Sequence, residues 1–74
     1  MSLTPGRYRH YKGQEYQVLH VATHSETLEQ VVVYQTLYGA FDYWVRPLDM
    51  FTEKIEVKGE IVPRFALIEA NSGS

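Results

Sequence analysis

Three neighbouring residues, His24, Ser25 and Glu26, carry the side chains of a hydrolytic triad. In such a triad the serine hydroxyl meets one imidazole nitrogen and the carboxylate meets the other. Neighbours in an extended chain point to opposite faces, so three consecutive residues rarely reach this arrangement. The G-x-S-x-G elbow of the α/β-hydrolases is also missing. We therefore predict no catalytic residue and interpret the stretch as a turn, in which Ser25 and Thr27 bond nearby backbone N–H groups.

The histidines are also candidates for a metal site. His20 and His24 are four residues apart, which on a strand places them about 13 Å apart, too far to share an ion. His10 could approach His24 across strands, with Glu26 as a third ligand, and zinc sites are built from such groups. Because no spacing motif supports that arrangement, we predict no metal and no cofactor.

Composition restricts the class of protein and the class of partner. The 74 residues include no cysteine, so neither a disulfide nor a thiolate nucleophile is available. The net charge is −2, whereas a nucleic-acid binder of this size usually carries a basic excess on one face. The chain has no apolar run of membrane-helix length and no signal-peptide pattern at its N-terminus. We expect a cytoplasmic location, with neither nucleic acid nor membrane as a partner.

Short runs of β-branched and aromatic residues alternate with turn residues along the chain and predict strands. The valines at 31–33 favour a pleated surface over the helix that a capping pattern at Thr27 and Gln30 would start. Pro47 must end a strand because it has no N–H to donate, and one helical turn can follow it. The predicted extended segments cover residues 6–10, 15–23, 28–37, 41–46, 53–57, 60–62 and 63–68.

Five or six short strands without a long helix predict an all-β domain, a small SH3-like barrel with at most one short helical turn. Aromatic residues make up 14% of the chain, and they are expected to supply most of its core. We predict a single domain over residues 6–68. A loose N-terminal segment, 1–5, and a flexible C-terminal tail, 69–74, flank it.

Four stretches, "GRYRHYKGQEYQVL", "HSETLEQVVVYQTLYG", "WVRPLDMF" and "VPRF", occur in this order. Together they resemble the small, mostly bacterial family catalogued as domain of unknown function 1653. The resemblance covers Gly6 to about Phe65, and it is specific because several motifs match with their spacing. It implies an SH3-type barrel fold, and it implies no activity, substrate or cofactor.

Strand alternation in "FDYWVR" places the residues at 41, 43 and 45 on one face, which we predict to be the core face. Trp44 and Arg46 then share the other face. A tryptophan there is either covered by the closing segment 63–68 or lines a groove, and the sequence leaves both alternatives open. Arg46 could stack on an aromatic ring or pair with a carboxylate such as Glu26.

These observations favour a non-catalytic module that binds a peptide, a protein or a small polar ligand in an aromatic groove near the 24–26 turn. Two alternatives stay open. One is a small enzyme or ligand-sensing domain that uses His24 as acid or base. The other is a structural or self-associating domain, a homodimer through an uncovered strand edge. The predicted ligand-binding residues are His24, Ser25, Glu26, Tyr34, Trp44, Arg46 and Arg64.

Overall fold

The computed structural model describes residues 3–71, which form seven strands and one helical turn. Strong β propensity and well-placed turn residues explain why strands dominate. The all-β class and the short helical turn are therefore confirmed. The elements are β1 (Gly6–His10), β2 (Glu15–Thr23), β3 (Gln30–Thr36), β4 (Tyr43–Pro47), α1 (Leu48–Phe51), β5 (Lys54–Val57), β6 (Glu60–Pro63) and β7 (Phe65–Ala70).

Five strands form one antiparallel sheet in the order β4-β3-β2-β1-β7, and β5 and β6 form a separate hairpin. The last strand thus returns to lie beside the first. Over residues 3–71 the hairpin pairs only with itself, and β4 and β7 remain the two edges of the larger sheet. The described part of this small all-β domain therefore has seven strands in two sheets that do not close into a barrel.

A β-bulge in β2 changes which side chains face the core. The register with β3 shifts between Val18 and His20, and such an irregularity interrupts the strict alternation of faces. Val18 is fully buried, His20 is exposed, and Val21 packs against the core. Simple alternation would place Val18 and His20 on one face, and the bulge between them breaks that pattern.

The core lies on one face of the five-stranded sheet and consists largely of aromatic rings. Pro47 ends β4, and the helical turn that follows carries Leu48 and Phe51 onto this face. The ring of Phe51 stacks on that of Phe65 with centroids 4.1 Å apart and planes 2° from parallel. The buried hydrophobic side chains are Tyr8, Tyr16, Val18, Val32, Tyr34, Leu48, Phe51 and Phe65.

The two faces of β4 are the reverse of those predicted. Trp44 pairs with Tyr34 and Arg46 pairs with Val32. Directly paired residues share a face, and both partners are buried, so Trp44 and Arg46 lie on the core side. The residues predicted as core point outward instead, where nothing else in residues 3–71 covers this edge strand. Phe41, Tyr43 and Val45 are 51%, 66% and 63% exposed.

The ends of the described chain are tied to the sheet. Leu3 packs against the core, and the Asn71 N–H donates to the Pro5 carbonyl at 3.1 Å. β7 continues to Ala70, two residues past the predicted end of the domain. Residues 1–2 and 72–74 of the predicted loose ends lie outside the described residues. Within residues 3–71, α1 has four residues, and no helix there has the length and apolar character needed to cross a membrane.

Candidate functional site

The turn between β2 and β3 is held by a histidine ring. The His24 imidazole Nδ1 accepts hydrogen bonds from the backbone N–H groups of Glu26 and Thr27, at 3.1 and 3.3 Å. Thr27 Oγ1 accepts one from the Glu29 N–H at 3.2 Å. The predicted turn is thus confirmed, with His24 in the role expected of Ser25. Because Nδ1 accepts, the proton of the neutral ring is on Nε2.

This hydrogen-bond pattern differs from that of a triad. Within residues 3–71, the Ser25 hydroxyl makes no hydrogen bond, and Glu26 reaches the ring through its backbone rather than its carboxylate. All three residues are exposed. The described residues also contain no group of three His, Asp or Glu side chains placed to hold a metal ion. The turn therefore has the geometry of a capped loop.

The structure brings three of the predicted site residues together at the other end of the sheet. The rings of Tyr34 and Trp44 meet edge to face with centroids 6.2 Å apart. The Arg46 Nε–H donates to the Tyr34 hydroxyl at 3.4 Å. Trp44 is 44% exposed, so the closing segment leaves much of its indole open to solvent. We call this region the Trp44 face. Its accessible side chains are His10, Tyr38, Trp44 and Arg46, and they lie over the buried rings of Tyr16, Tyr34 and Phe65.

The Phe65 ring contacts both Arg46 and His10, the basic side chains of the Trp44 face. The Arg46 guanidinium carbon lies 5.3 Å from the Phe65 ring centroid in a cation–π arrangement. The His10 ring meets the same phenyl ring edge to face, with centroids 4.9 Å apart. Since Phe51 stacks on one side of Phe65, the guanidinium is left with the opposite side. Arg46 is thus held by a ring and a hydroxyl.

The two arginines of the predicted site differ in what neutralises them. The Arg64 Nη2 donates to the Glu53 carboxylate at 2.9 Å. Arg46 has no carboxylate within 4 Å among residues 3–71, where the ion pairs involve Arg7, Arg9 and Arg64. The predicted alternative of an Arg46–Glu26 pair is not formed. Arg46 is therefore the arginine that is open to an acidic ligand.

The local field at His10 is positive. Burial lowers the pKa of His10 first, and the charges of Arg46, Arg64 and Lys12 lower it further. The backbone N–H of Lys12 also donates to the His10 Nδ1 at 3.1 Å, and a hydrogen bond to the neutral form disfavours protonation. His10 is consequently a neutral imidazole at pH 7.

Two tyrosine hydroxyls form the rim of the Trp44 face. The hydroxyls of Tyr16 and Tyr38 are 3.0 Å apart and share a hydrogen bond. Burial raises the pKa of Tyr16, and the bond to Tyr38 raises it further. Tyr16 therefore stays a neutral phenol. The two hydroxyls add polar hydrogen-bonding atoms beside the exposed indole.

The strand register separates the 24–26 turn from Trp44, although the sequence predicts both in a single groove. The turn adjoins Gln30 at the start of β3, whereas Trp44 pairs with Tyr34 four residues further along. Four residues of strand span about 13 Å. His24, Ser25 and Glu26 thus lie apart from Trp44. Next to the turn, a depression of about 290 Å³ is lined by Leu28, Glu29, Gln30, Pro47, Leu48 and Asp49.

His10 and Phe65 belong to the site, and sequence reasoning did not select them. Alternation in β1 places His10 on the face of Tyr8, so its orientation was readable from "GRYRH". Its contact with Phe65 depends on the pairing of β1 with β7. His10 also borders an open groove of about 710 Å³ between the free side of β7 and the β5–β6 hairpin, with Tyr11, Val62 and Leu67 among its walls.

Comparison with known proteins identifies a family without a known activity. The family model described as "Protein of unknown function (DUF1653)" matches residues 6–67. A crystal structure of a DUF1653 protein from Bordetella bronchiseptica is similar, with 36% sequence identity and a TM-score of 0.84. That match covers 97% of this chain and 95% of the other. A search of curated proteins gives no match. The chain belongs to the DUF1653 family of proteins of unknown function.

Proposed function

We propose that this domain is a non-catalytic recognition module that binds a peptide or a small polar ligand on the Trp44 face. The observation that carries the proposal is the pairing of a half-exposed indole with an arginine that lacks a carboxylate partner in residues 3–71. Aromatic grooves with one or two polar anchors are a recurrent way of binding peptides. The proposal includes the cytoplasmic location expected from the cysteine-free composition.

Each part of the Trp44 face has a separate role in this proposal. Trp44 offers a flat apolar surface with few rotatable bonds, so a ligand that packs on it removes little conformational entropy from the side chain. Arg46 offers a planar fork that matches a carboxylate or phosphate. Arg64 is bound to Glu53, so it stabilises the segment before β7. Arg46 is then the arginine that binds the ligand.

In this proposal, only long extended ligands contact the 24–26 turn. A peptide that runs along β4 from Trp44 past Arg46 approaches the turn after about 13 Å, the length of four extended residues. His24, Ser25 and Glu26 are exposed there. A short ligand would contact the Trp44 face without reaching them.

The test is an NMR screen of the ¹⁵N-labelled domain against short peptides and small polar compounds. We expect binders to shift the Trp44 indole and Arg46 side-chain signals. The double variant Trp44→Ala, Arg46→Ala should lose these binders. Tyr43→Ala is the matched control because Tyr43 adjoins Trp44 on the opposite, outward face. Binders that map elsewhere, or that bind the double variant unchanged, would refute the proposal.

Self-association remains a second candidate because β4 and β7 are open edges within the described sheet. An exposed edge presents unpaired N–H and C=O groups to another chain. Tyr43 and Val45 on β4 add exposed apolar surface at one of these edges. Light scattering coupled to size-exclusion chromatography would measure the mass in solution, and a monomer at all concentrations would exclude a homodimer.

A further inference from the structure

Building on the proposed function, we propose that the Trp44 face takes an anionic group, a carboxylate or a phosphate, between Arg46 and His10 at the ring of Phe65. This inference names the chemistry of the ligand and adds His10 as a contact. It rests on the positions of two donors around one phenyl ring, on their free hydrogen-bonding atoms and on the charges nearby.

Arg46 is prepared for an anion by its neighbours. The Phe65 ring and the Tyr34 hydroxyl hold the guanidinium, which reduces the rotamer entropy that a ligand must remove. Only Nε is engaged, at 3.4 Å, and the two terminal nitrogens make no hydrogen bond within residues 3–71. They present the paired donors that carboxylate and phosphate oxygens accept.

His10 supplies a second donor whose direction is held by its surroundings. Because Nδ1 accepts the Lys12 N–H at 3.1 Å, the proton of the neutral ring is on Nε2. The ring is packed between Tyr11 and Phe65, with centroid distances of 4.5 and 4.9 Å. Its Nε2–H makes no hydrogen bond with residues 3–71. An anion can accept this bond without a change in protonation.

The charges around the two donors favour an anion over a cation. Arg46, Arg64 and Lys12 all act on His10. The carboxylate of Glu53 is engaged, since it binds Arg64 at 2.9 Å. An anion at Phe65 would therefore be attracted by these positive charges as well as form new hydrogen bonds.

The aromatic neighbours specify what the anion is attached to. Arg46 and Trp44 are two residues apart on one face of β4. A ligand whose anion contacts Arg46 thus places its adjoining group on the exposed part of the Trp44 ring. A planar or apolar group is the best match, since it gains contact area there. The expected ligand class is an organic acid or a phosphate ester with a flat group beside the anion.

The experiment compares three small probes in NMR titrations of the labelled domain. Benzoate carries a carboxylate on a ring, phenyl phosphate carries a phosphate, and benzamide is an uncharged shape match for benzoate. We expect the anions to shift the signals of the Arg46 Nε–H, the His10 ring and the Trp44 indole. Benzamide should bind at least about tenfold more weakly, because charge-assisted hydrogen bonds are the stronger ones. The stronger of the two anions identifies carboxylate or phosphate as the preferred group.

Three variants locate the binding. Arg46→Gln should weaken the binding of benzoate or phenyl phosphate about tenfold or more. His10→Asn keeps an acceptor for the Lys12 N–H but removes the ring donor, so it should fold and bind the anions more weakly. Lys54→Gln changes an exposed cation on β5 that does not line the groove beside His10, and it should bind like the wild type.

Two outcomes would overturn the inference. If benzoate and benzamide shift the Trp44 indole equally, the anion site is refuted while binding at the Trp44 face stands. If neither anion shifts the His10 and Arg46 signals at the highest soluble concentration, the pair does not bind anions. The peptide and ligand screen judges the proposed function separately, because it includes neutral compounds.

Discussion

Gly6 allows the last strand to lie against the first, and its replacement by alanine is the perturbation with the largest expected effect on the site. Gly6 is buried at the start of β1 opposite Ala70 of β7. A Cβ at this position would collide with the Glu69 carbonyl oxygen and lie 2.8 Å from the Ala70 Cα. Both neighbours are backbone atoms, so no side-chain rotation relieves the contact and β7 must shift.

The magnitude follows from two costs. Gly6 has a φ of 156°, and backbone conformations reserved for glycine cost other residues about 1–3 kcal/mol. Overpacking adds about 1–3 kcal/mol. We expect Gly6→Ala to lower the free energy of unfolding by about 2–6 kcal/mol. At roughly 0.05–0.15 kcal/mol per residue, the whole domain has about 4–11 kcal/mol, so the loss is a large fraction of the total.

Gly39→Ala is the matched control. Gly39 also has a positive φ, 62°, but a Cβ there meets no atom within 4 Å. Its cost is the backbone term alone, about 1–2 kcal/mol. Urea unfolding followed by fluorescence measures both variants. With a slope of about 1–3 kcal/mol per molar urea, a loss of 3 kcal/mol lowers the midpoint by about 1–3 M.

The position of β7 also matters for the proposed ligand binding, because the Phe65 ring on this strand contacts Arg46 and His10. A folded Gly6→Ala protein should therefore show shifted NMR signals for the His10 ring. Equal destabilisation by Gly6→Ala and Gly39→Ala would refute the close approach of β1 and β7 as the reason for glycine at position 6.

Two further predictions concern the histidines. Because the folded pKa of His10 lies below its ordinary value of 6.5, the unfolded chain takes up the proton first as the pH falls. The His10 contribution to stability is complete above pH 6.5 and is lost as the pH falls through the folded pKa. Urea unfolding at several pH values should therefore show that acidification lowers the stability of His10→Asn less than that of the wild type. An identical pH dependence of stability in the two proteins would contradict this. His24→Ala removes the acceptor of two backbone N–H groups and should cost about 1 kcal/mol. Ser25→Ala should change stability by less than about 0.5 kcal/mol, and an equal loss in both variants would show that the ring does not hold the turn.

The elements of this fold are largely readable from the sequence because they depend on short-range effects. β-Branched runs, glycine turns and Pro47 act over a few residues, and the predicted strands and helical turn lie close to the observed ones. The family resemblance likewise depends on motifs that are local in the chain. The 24–26 turn was predicted for the same reason, although the group that closes it is the His24 ring.

The faces of β4 could not be predicted from "FDYWVR" because both alternating sets contain large apolar side chains. The observed register, in which Trp44 opposes the buried Tyr34, decides which set meets the core. The same register separates Trp44 from the 24–26 turn. In β2, the bulge after Val18 reverses which alternate side chains face the core. No residue type in that stretch predicts a bulge.

The sequence by itself determined the all-β class, the turns, the aromatic supply for the core and the presence of Tyr34, Trp44 and Arg46 in a candidate site. Only the tertiary structure decided that Arg64 is bound to Glu53, that Arg46 is open, and that His10 joins it at Phe65. The reason is physical. Local preferences act between neighbours in the chain, whereas these contacts join residues from β1, β4 and the start of β7, whose meeting depends on strand register summed over the whole sheet.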